Sequence, residues 1–582
     1  MQPISFYSIF VAQYNQPPKH YMRRLKIVLA LACTAIWCES FGSALNSELT
    51  SPRTKINSVS DTSTDSSIAE NIQRPALVVN IVVGGLPYDF MTRFGDNLTE
   101  GGFRRFATSG TTFTAGRYEY MPVNYASSLA TITTGTTPSV HGVVGTEWYD
   151  VLTGRRVSLI EDPDGRNLDI EYGGVSFSNV NLSAPTLGER LIRENPKSKV
   201  LSIAADPVSA IVMAGLSTEA MWINPISATW TSSVKYMNRL PDWVVAINRQ
   251  TKHNDFFKHW FWTLQLPPET YSNTAYDVLA LKSYGRFRRM KPVDTPAEHG
   301  RFAPIAATPL ACDIVADFAM QAIINEHLGD DDAPDILNIC FDAPRNIIAR
   351  YGLSSVEAED AFYHLDHTLA SLMSFIDTHV SGGQVLFVLT SDHGFGNINA
   401  NYNDPSEQFN GEQFRAIVNS FLCAHYGGED WVAGYHNRRL YINRQLAFER
   451  DLQLDALQRT TADFALQFRG ISRMVPSCDM RPGSLSDAHM QRLINGYYPK
   501  RSGDILVDLV PGRCETIPGG RCSTGSAFDY DTHVPFMIFG CGVPVMTVDT
   551  DVDMASLPVT LARILGIQRP EAATAHPIDD IF

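Results

Sequence analysis

Positive charge is in short supply: 47 Lys and Arg stand against 62 Asp and Glu, a net charge of −15. Binding to a phosphate backbone needs the reverse balance, so nucleic acid is not an expected partner. A membrane-spanning run is missing as well. The apolar stretch from Ile27 to Trp37, within MRRLKIVLALACTAIWCESFGSA, is too short to cross a bilayer comfortably. Its flanks are those of a signal peptide, with Arg23, Arg24 and Lys26 before it and the small residues Gly42 and Ala44 after it. Residues 1–44 are therefore expected to be a cleaved signal peptide with its functional start at Met22, followed by export to the periplasm or medium with no transmembrane span. Lipoprotein anchoring through Cys33 in LALAC is not expected, because the residues before that cysteine fit the processing pattern poorly. No internal repeat is present, which argues against a solenoid.

Cysteine is sparse too, with nine in 582 residues, two of them before Ala44. Export permits the remaining thiols to oxidise. Cys514 and Cys522 bracket the glycine-rich CETIPGGRC and form the expected disulfide, whereas Cys340 lies in an apolar run and is expected to be a small buried side chain.

What is abundant is apolar sequence, 44% of the chain, in a length that suits one large domain with insertions or two to four smaller ones. Residues 45–74, including NSVSDTSTDSS, are polar and lack periodicity, and read as a disordered linker. From 75 onward, strand-length apolar runs recur: ALVVNIVV (76–83), KVLSIAA (199–205), DILNICF (335–341), QVLFVLT (384–390) and PFMIFG (535–540). Their hydrophobicity is continuous rather than alternating, as in strands covered on both faces. Between them, SSVEAEDAFYHLDHTLASLMSFID has capping-box spacing at Ser354 and Glu357, and an apolar face of Phe362, Leu365, Leu369, Leu372, Met373 and Ile376. Such alternation predicts an α/β domain, a mostly parallel central sheet flanked by helices, over 75–582. Two stretches, near 225–300 and 400–500, break the alternation and read as cap insertions. The aromatics of HWFWTLQLPPETY in the first of these read as core rather than as a pocket lining.

One strand ends in chemistry. VLFVLTSDHGFG places Asp392 and His393 at the carboxyl end of an apolar run, where a carboxylate and an imidazole can share a metal. Alone, the pair also suits a turn in which Asp392 accepts backbone N–H groups.

The segments IVVGGLPYDFMTRF, GGFRRFATSGTTF, TGTTPSVHGVVG, LPPETY, YHLD, TSDHG, GYYPKRSGDILV and YDTHVPFMIFG, in that order, resemble the alkaline phosphatase superfamily. The likeness is nearest the exported bacterial alkaline phosphatases with a threonine nucleophile, relatives of the nucleotide pyrophosphatase/phosphodiesterases. It runs from about Pro75 to the C-terminus. The resemblance implies a two-zinc site in which about six ligands support in-line attack by a Thr or Ser hydroxyl on a phosphoryl group.

Position by position, the implied residues are mostly replaced. Gly84 stands where the first strand should end in an Asp ligand, and Tyr125 stands at the nucleophile position before the helix. Ser127 or Ser128 would serve only if that helix began later. Arg345 and Ala349 occupy the places of an Asp and a His ligand; sliding to Asp342 restores the acid but leaves Asn346 for the histidine. The segment DPV, Asp206 to Val208, replaces a basic phosphate clamp, and Thr524 replaces the last ligand histidine. His533 matches a histidine the family keeps besides its ligands, and His141 follows a proline turn, so both read as structural.

Asp392 and His393 thus remain as a remnant metal pair, too few for a zinc site. The expectation is a catalytically silent family member with a binding or structural role and no cofactor, in which Arg345 fills the metal's space and pairs with Asp392. The alternative is an active phosphoric ester hydrolase rebuilt from Asp392, His393, His533, Asp342 and Tyr125, with zinc as cofactor and a phosphorylated small molecule as substrate.

Overall fold

The run LVVNIVV, dense in β-branched residues, forms strand β1 (Leu77–Val83). Leu77, Val79, Ile81 and Val83 join one hydrophobic cluster while Val78 and Val82 join another. The period-two alternation of a strand puts these sets on opposite faces, so both sides of the sheet are covered, as the continuous hydrophobicity predicts. The structure, a computed structural model, describes residues 73–168, 176–253, 260–273, 301–380, 384–396, 408–480, 487–516 and 525–582. The expected signal peptide, the linker to residue 72 and the Cys514–Cys522 bridge lie outside the described residues, as does 274–300 of the first expected cap.

The other strands of the two larger sheets are β2 (Gly110–Phe113), β3 (Val200–Ala204), β4 (Glu219–Ile223), β5 (Trp230–Thr231), β6 (Asp335–Phe341), β7 (Val385–Ser391), β8 (Val432–His436), β9 (Arg439–Ile442), β10 (Ile471–Pro476), β11 (Ile505–Leu509), β12 (Phe536–Gly540) and β13 (Met546–Val548). The main sheet has nine strands in the order β5-β4-β3-β6-β1-β7-β12-β2-β13. Strands β4, β3, β6, β1 and β7 run parallel, and β12 runs antiparallel to both β7 and β2. A polar rung crosses this apolar sheet: Asn80 Nδ2 donates to Asn338 Oδ1 (2.8 Å) and Asn338 Nδ2 to Ser202 Oγ (3.0 Å). The three residues are register partners, so the Asn338 amide is satisfied on both sides, whereas Asn80 Oδ1 has no hydrogen-bond partner among the described residues.

Helices α1 (Tyr125–Thr134), α2 (Pro207–Ala214), α3 (Leu310–Asn325), α4 (Ala343–Tyr351), α5 (Val356–His379) and α7 (Ser556–Leu565) cover the two faces of this main sheet, while α6 (Gly411–Tyr426) packs on the smaller one. Helices α3 and α5 pack on one face, and α1, α2 and α7 on the other. The predicted apolar face of α5 is buried throughout. Its start differs by one residue from the expected capping box at Ser354 and Glu357: Ser355 is the N-cap and its hydroxyl accepts from Ala358 N at 3.1 Å. Either serine can begin this helix by sequence; Ser355 does, and Val356, the first helical residue, is buried.

Strands β8, β9, β11 and β10 form a separate sheet with its own core around Phe414, Val418, Leu422, Trp431, Leu440 and Val507. Among the described residues no helix is long and apolar enough to cross a membrane.

Candidate functional site

Strand register assembles the site. Val83 pairs with Phe341 on one side and Ser391 on the other, so Gly84, Asp342 and Asp392 leave three adjacent parallel strands at the same edge. This carboxyl edge is where open α/β sheets collect ligands. The chain turns sharply after β1: Gly84 N donates to Phe341 O (2.9 Å), Gly85 N to Asp392 Oδ1 (2.7 Å) and Leu86 N to Ser391 Oγ (2.9 Å). Gly85 is left-handed at φ +67°, and a Cβ there would sit 2.7 Å from the Phe395 ring, so only glycine fits.

Helix α4 begins directly after β6 with Pro344 in its first turn, which aims Arg345 back across the strand ends. Arg345 Nη1 donates to Asp392 Oδ2 at 2.5 Å and Nη2 to Asp342 Oδ1 at 2.8 Å; Nη2 also lies 3.7 Å from Asp206 Oδ2. The guanidinium carbon sits 3.8 Å from the centre of the Tyr125 ring, a cation–π contact. Asp342 accepts Ser209 Oγ (2.6 Å) and Asp206 N (3.0 Å) besides the arginine. Asp206 caps α2, accepting Val208 N at 2.8 Å ahead of Pro207.

The electrostatics follow from one buried cation among three acids. Burial disfavours the charge on Arg345, but Asp392 and Asp342 outweigh it and hold its pKa well above the usual arginine value. Burial, and then the charge of Asp342, push the Asp206 carboxyl up to about 6.

His393 is buried and its Nδ1 donates to Gly394 O (2.8 Å), leaving Nε2 3.6 Å from Asp392 Oδ1. Tyr125 is the first residue of α1, fixed there by a capping box between Asn124 and Ser127. The helix does not start later: Ser127 Oγ donates to Asn124 O, Ser128 Oγ pairs with Tyr120 OH, and both serines are fully buried. His533 Nε2 donates to Thr114 O (2.8 Å) and its ring stacks on Tyr88 at 4.0 Å. His141 accepts Val143 N on Nδ1 and pairs with Thr131 through Nε2, inside the core. Asn346 Nδ2 donates to Ala306 O, and Thr524 lies outside the described residues. The structure therefore brings together Gly84, Asp342, Arg345, Asp392, His393 and Tyr125, while His533 and His141 serve other contacts.

Two members of this neighbourhood escape the sequence reading. Ser209 holds Asp342, and Asp531 accepts Gly525 N, Ser526 N and Ser526 Oγ while its carbonyl takes Gly394 N (2.9 Å). The Asp-Pro at 206–207 is an N-cap signal and could have announced α2; nothing local announces Asp531.

These donors do not fit the zinc pair that the resemblance implies. The oxygen of Asp392 not bonded to Gly85 N is taken by a guanidinium, and Asp342 is shared between that guanidinium and Ser209. A second cation at this spot would face the fixed positive charge of Arg345 at close range. Among the described residues no group of three or more His, Cys, Asp or Glu side chains is arranged to hold a metal.

Comparison with known proteins agrees with this fold. A Myroides odoratus protein described as a calcium-transporting ATPase is 28% identical over 525 residues, 88% of this chain and 95% of its own length. Alkaline phosphatase PhoV of Synechococcus elongatus is 27% identical over 529 residues, 88% of this chain and 94% of that protein. The crystal structure of wild-type alkaline phosphatase PafA superposes with a TM-score of 0.80 at 24% identity, covering 88% of this chain and 99% of that one, which is a likeness of fold. Residues 78–508 match the family described as type I phosphodiesterase / nucleotide pyrophosphatase, and the chain belongs to that family.

Proposed function

We propose that this protein is a catalytically silent member of its family, exported behind the signal peptide at 1–44 and serving a binding or structural role, with the segments near 225–300 and 400–500 as caps on the 75–582 domain. Family membership supplies the phosphoesterase fold; the silence is read from the site. The observation that carries it is the Arg345 guanidinium bonded to Asp392 and Asp342 at the edge where catalytic metals would be held.

Three further features support the reading. A threonine-type nucleophile is replaced by Tyr125, whose ring is committed to Arg345. Phosphate approaching this edge would meet Asp206 and Asp342 rather than a basic clamp, and like charge repels it. The active alternative needs His533 to turn inward, yet its Nε2 is bonded to Thr114 O.

Zinc content of the purified protein, measured beside hydrolysis of an aryl phosphate monoester and a diester, tests the reading. Less than one zinc per chain and no metal-dependent turnover are expected. Stoichiometric zinc, with turnover that Asp392→Ala abolishes, would replace it with the rebuilt hydrolase.

A further inference from the structure

We infer that Arg345 is a tethered internal cation that stands in for a metal, and that Gly84 is glycine in order to admit it. The inference deepens the silent-member reading and rests on it for the comparison with a metal, though its own evidence is geometric.

Asp392 and Asp342 are 0% and 2% exposed, and two buried carboxylates at one sheet edge require a cation between them. Arg345 supplies it from the first turn of α4, with separate nitrogens on the two acids. The planar fork suits this task, since one guanidinium can bridge two carboxylates whereas an ammonium acts as a point charge. Tyr125 covers its face, and Asp206 Oδ2 lies 3.7 Å from Nη2.

Space at Gly84 is a second constraint, separate from charge. The φ of Gly84 lies outside the left-handed region, so backbone conformation does not require glycine there. Its surroundings do. A Cβ on Gly84 would lie 3.1 Å from Arg345 Cβ, 3.2 Å from Phe341 O and 3.3 Å from Arg345 Nη1. All three are tighter than a Cβ normally sits, so each neighbour would have to give by a few tenths of an ångström. Phe341 O is backbone bonded to Gly84 N, and the guanidinium is pinned by Asp392 and Asp342. Any side chain at 84, an aspartate included, competes with Arg345 for the same space, so the two positions are coupled.

Thermal unfolding of the full chain tests both parts. Wild-type protein is expected to keep its Tm through EDTA treatment and to gain nothing from added zinc; a fall on chelation would overturn the inference. Arg345→Ala should lower Tm by several degrees, and millimolar methylguanidinium should restore most of the loss. Tetramethylammonium at equal ionic strength should not. Failure of methylguanidinium to restore the Tm, or equal action by both cations, would overturn it.

Should Arg345→Ala not fold, Arg345→Lys and Gly84→Ala carry the test. Lysine keeps the charge but not the fork, so a lowered Tm is expected, and the alanine should lower Tm through its clash with the pinned arginine. Wild-type Tm in both variants would overturn the inference. A zinc-free, inactive protein whose Arg345→Ala form ignores methylguanidinium would sink this inference alone. Stoichiometric zinc with metal-dependent turnover would sink the silent reading and the comparison with a metal that rests on it, while intact methylguanidinium rescue beside it would leave Arg345 standing as the cation that bridges the two acids.

Discussion

Arg345 Nη1 and Asp392 Oδ2 meet at 2.5 Å with side chains 9% and 0% exposed, an ion pair almost wholly shielded from solvent. Removing one partner of such a pair strands the other, at a cost of about 3–5 kcal/mol. The two partners are not equivalent. Arg345→Ala strands both Asp392 and Asp342, whereas Asp392→Ala leaves the arginine bonded to Asp342. Urea unfolding should therefore rank Arg345→Ala as the more destabilising, and the reverse order would show that the arginine is not the centre of the cluster.

Tyr125→Thr is expected to restore no hydrolysis. The substitution returns a hydroxyl to the nucleophile position but leaves Arg345 on both acids and Gly84 without a ligand. It also removes the ring over the guanidinium, worth about 0.5–2 kcal/mol. A slightly lower Tm with no turnover of an aryl phosphate, with or without zinc, is the expected pair of results.

The sheet was legible because its strands are continuous apolar runs: DILNICF is β6 residue for residue, and the other predicted runs differ from their strands by one residue at one or both ends. The Asp392–His393 pair was legible for the same reason, as polarity at the end of such a run. Asp531 was not: its side chain closes a local turn onto Gly525 and Ser526, and only tertiary packing brings Gly394 N to its carbonyl beside the site. Nor was the antiparallel direction of β12, since a strand buried on both faces has the same composition in either direction. The role of Gly84 needed coordinates as well: the sequence shows a missing ligand, and only the distance to Arg345 shows a space already used.

A second buried acid organises the other face. Asp360, on α5, accepts from Trp262 Nε1, from Gln265 N (2.7 Å) and from Tyr271 OH, and so ties residues 260–273 to the domain. Neighbouring Glu359 takes the amides of Ser272 and Asn273. Asp360→Ala would leave these donors without an acceptor, at about 1–3 kcal/mol for each buried group before relaxation. Hydrogen exchange at Gln265 and a shift of Trp262 emission should report local loosening at a smaller global cost. Unchanged exchange would remove Asp360 as the anchor.

His141 should make the protein sensitive to acid. Burial, and then the charge of Arg501, lower its pKa from 6.5 to about 3. The hydrogen bonds show why the neutral ring is required: Nδ1 accepts Val143 N–H, and Nε2 faces Thr131 Oγ1, whose own proton goes to Ser127 O. A proton on Nδ1 would break the first bond and bury a charge with no acid to pair it. Because the folded pKa is the lower one, the unfolded chain binds the extra proton between pH 6.5 and 3. Stability is therefore complete above pH 6.5 and falls as pH drops through that window, by at most roughly 4–5 kcal/mol. His141→Asn offers Val143 a similar acceptor but cannot titrate. It should be less stable than wild type near neutral pH, having lost the Thr131 contact, and should lose less stability on acidification. Urea unfolding between pH 7.5 and pH 4 measures both curves, and an acid limb equally steep in the variant would place the sensitivity elsewhere.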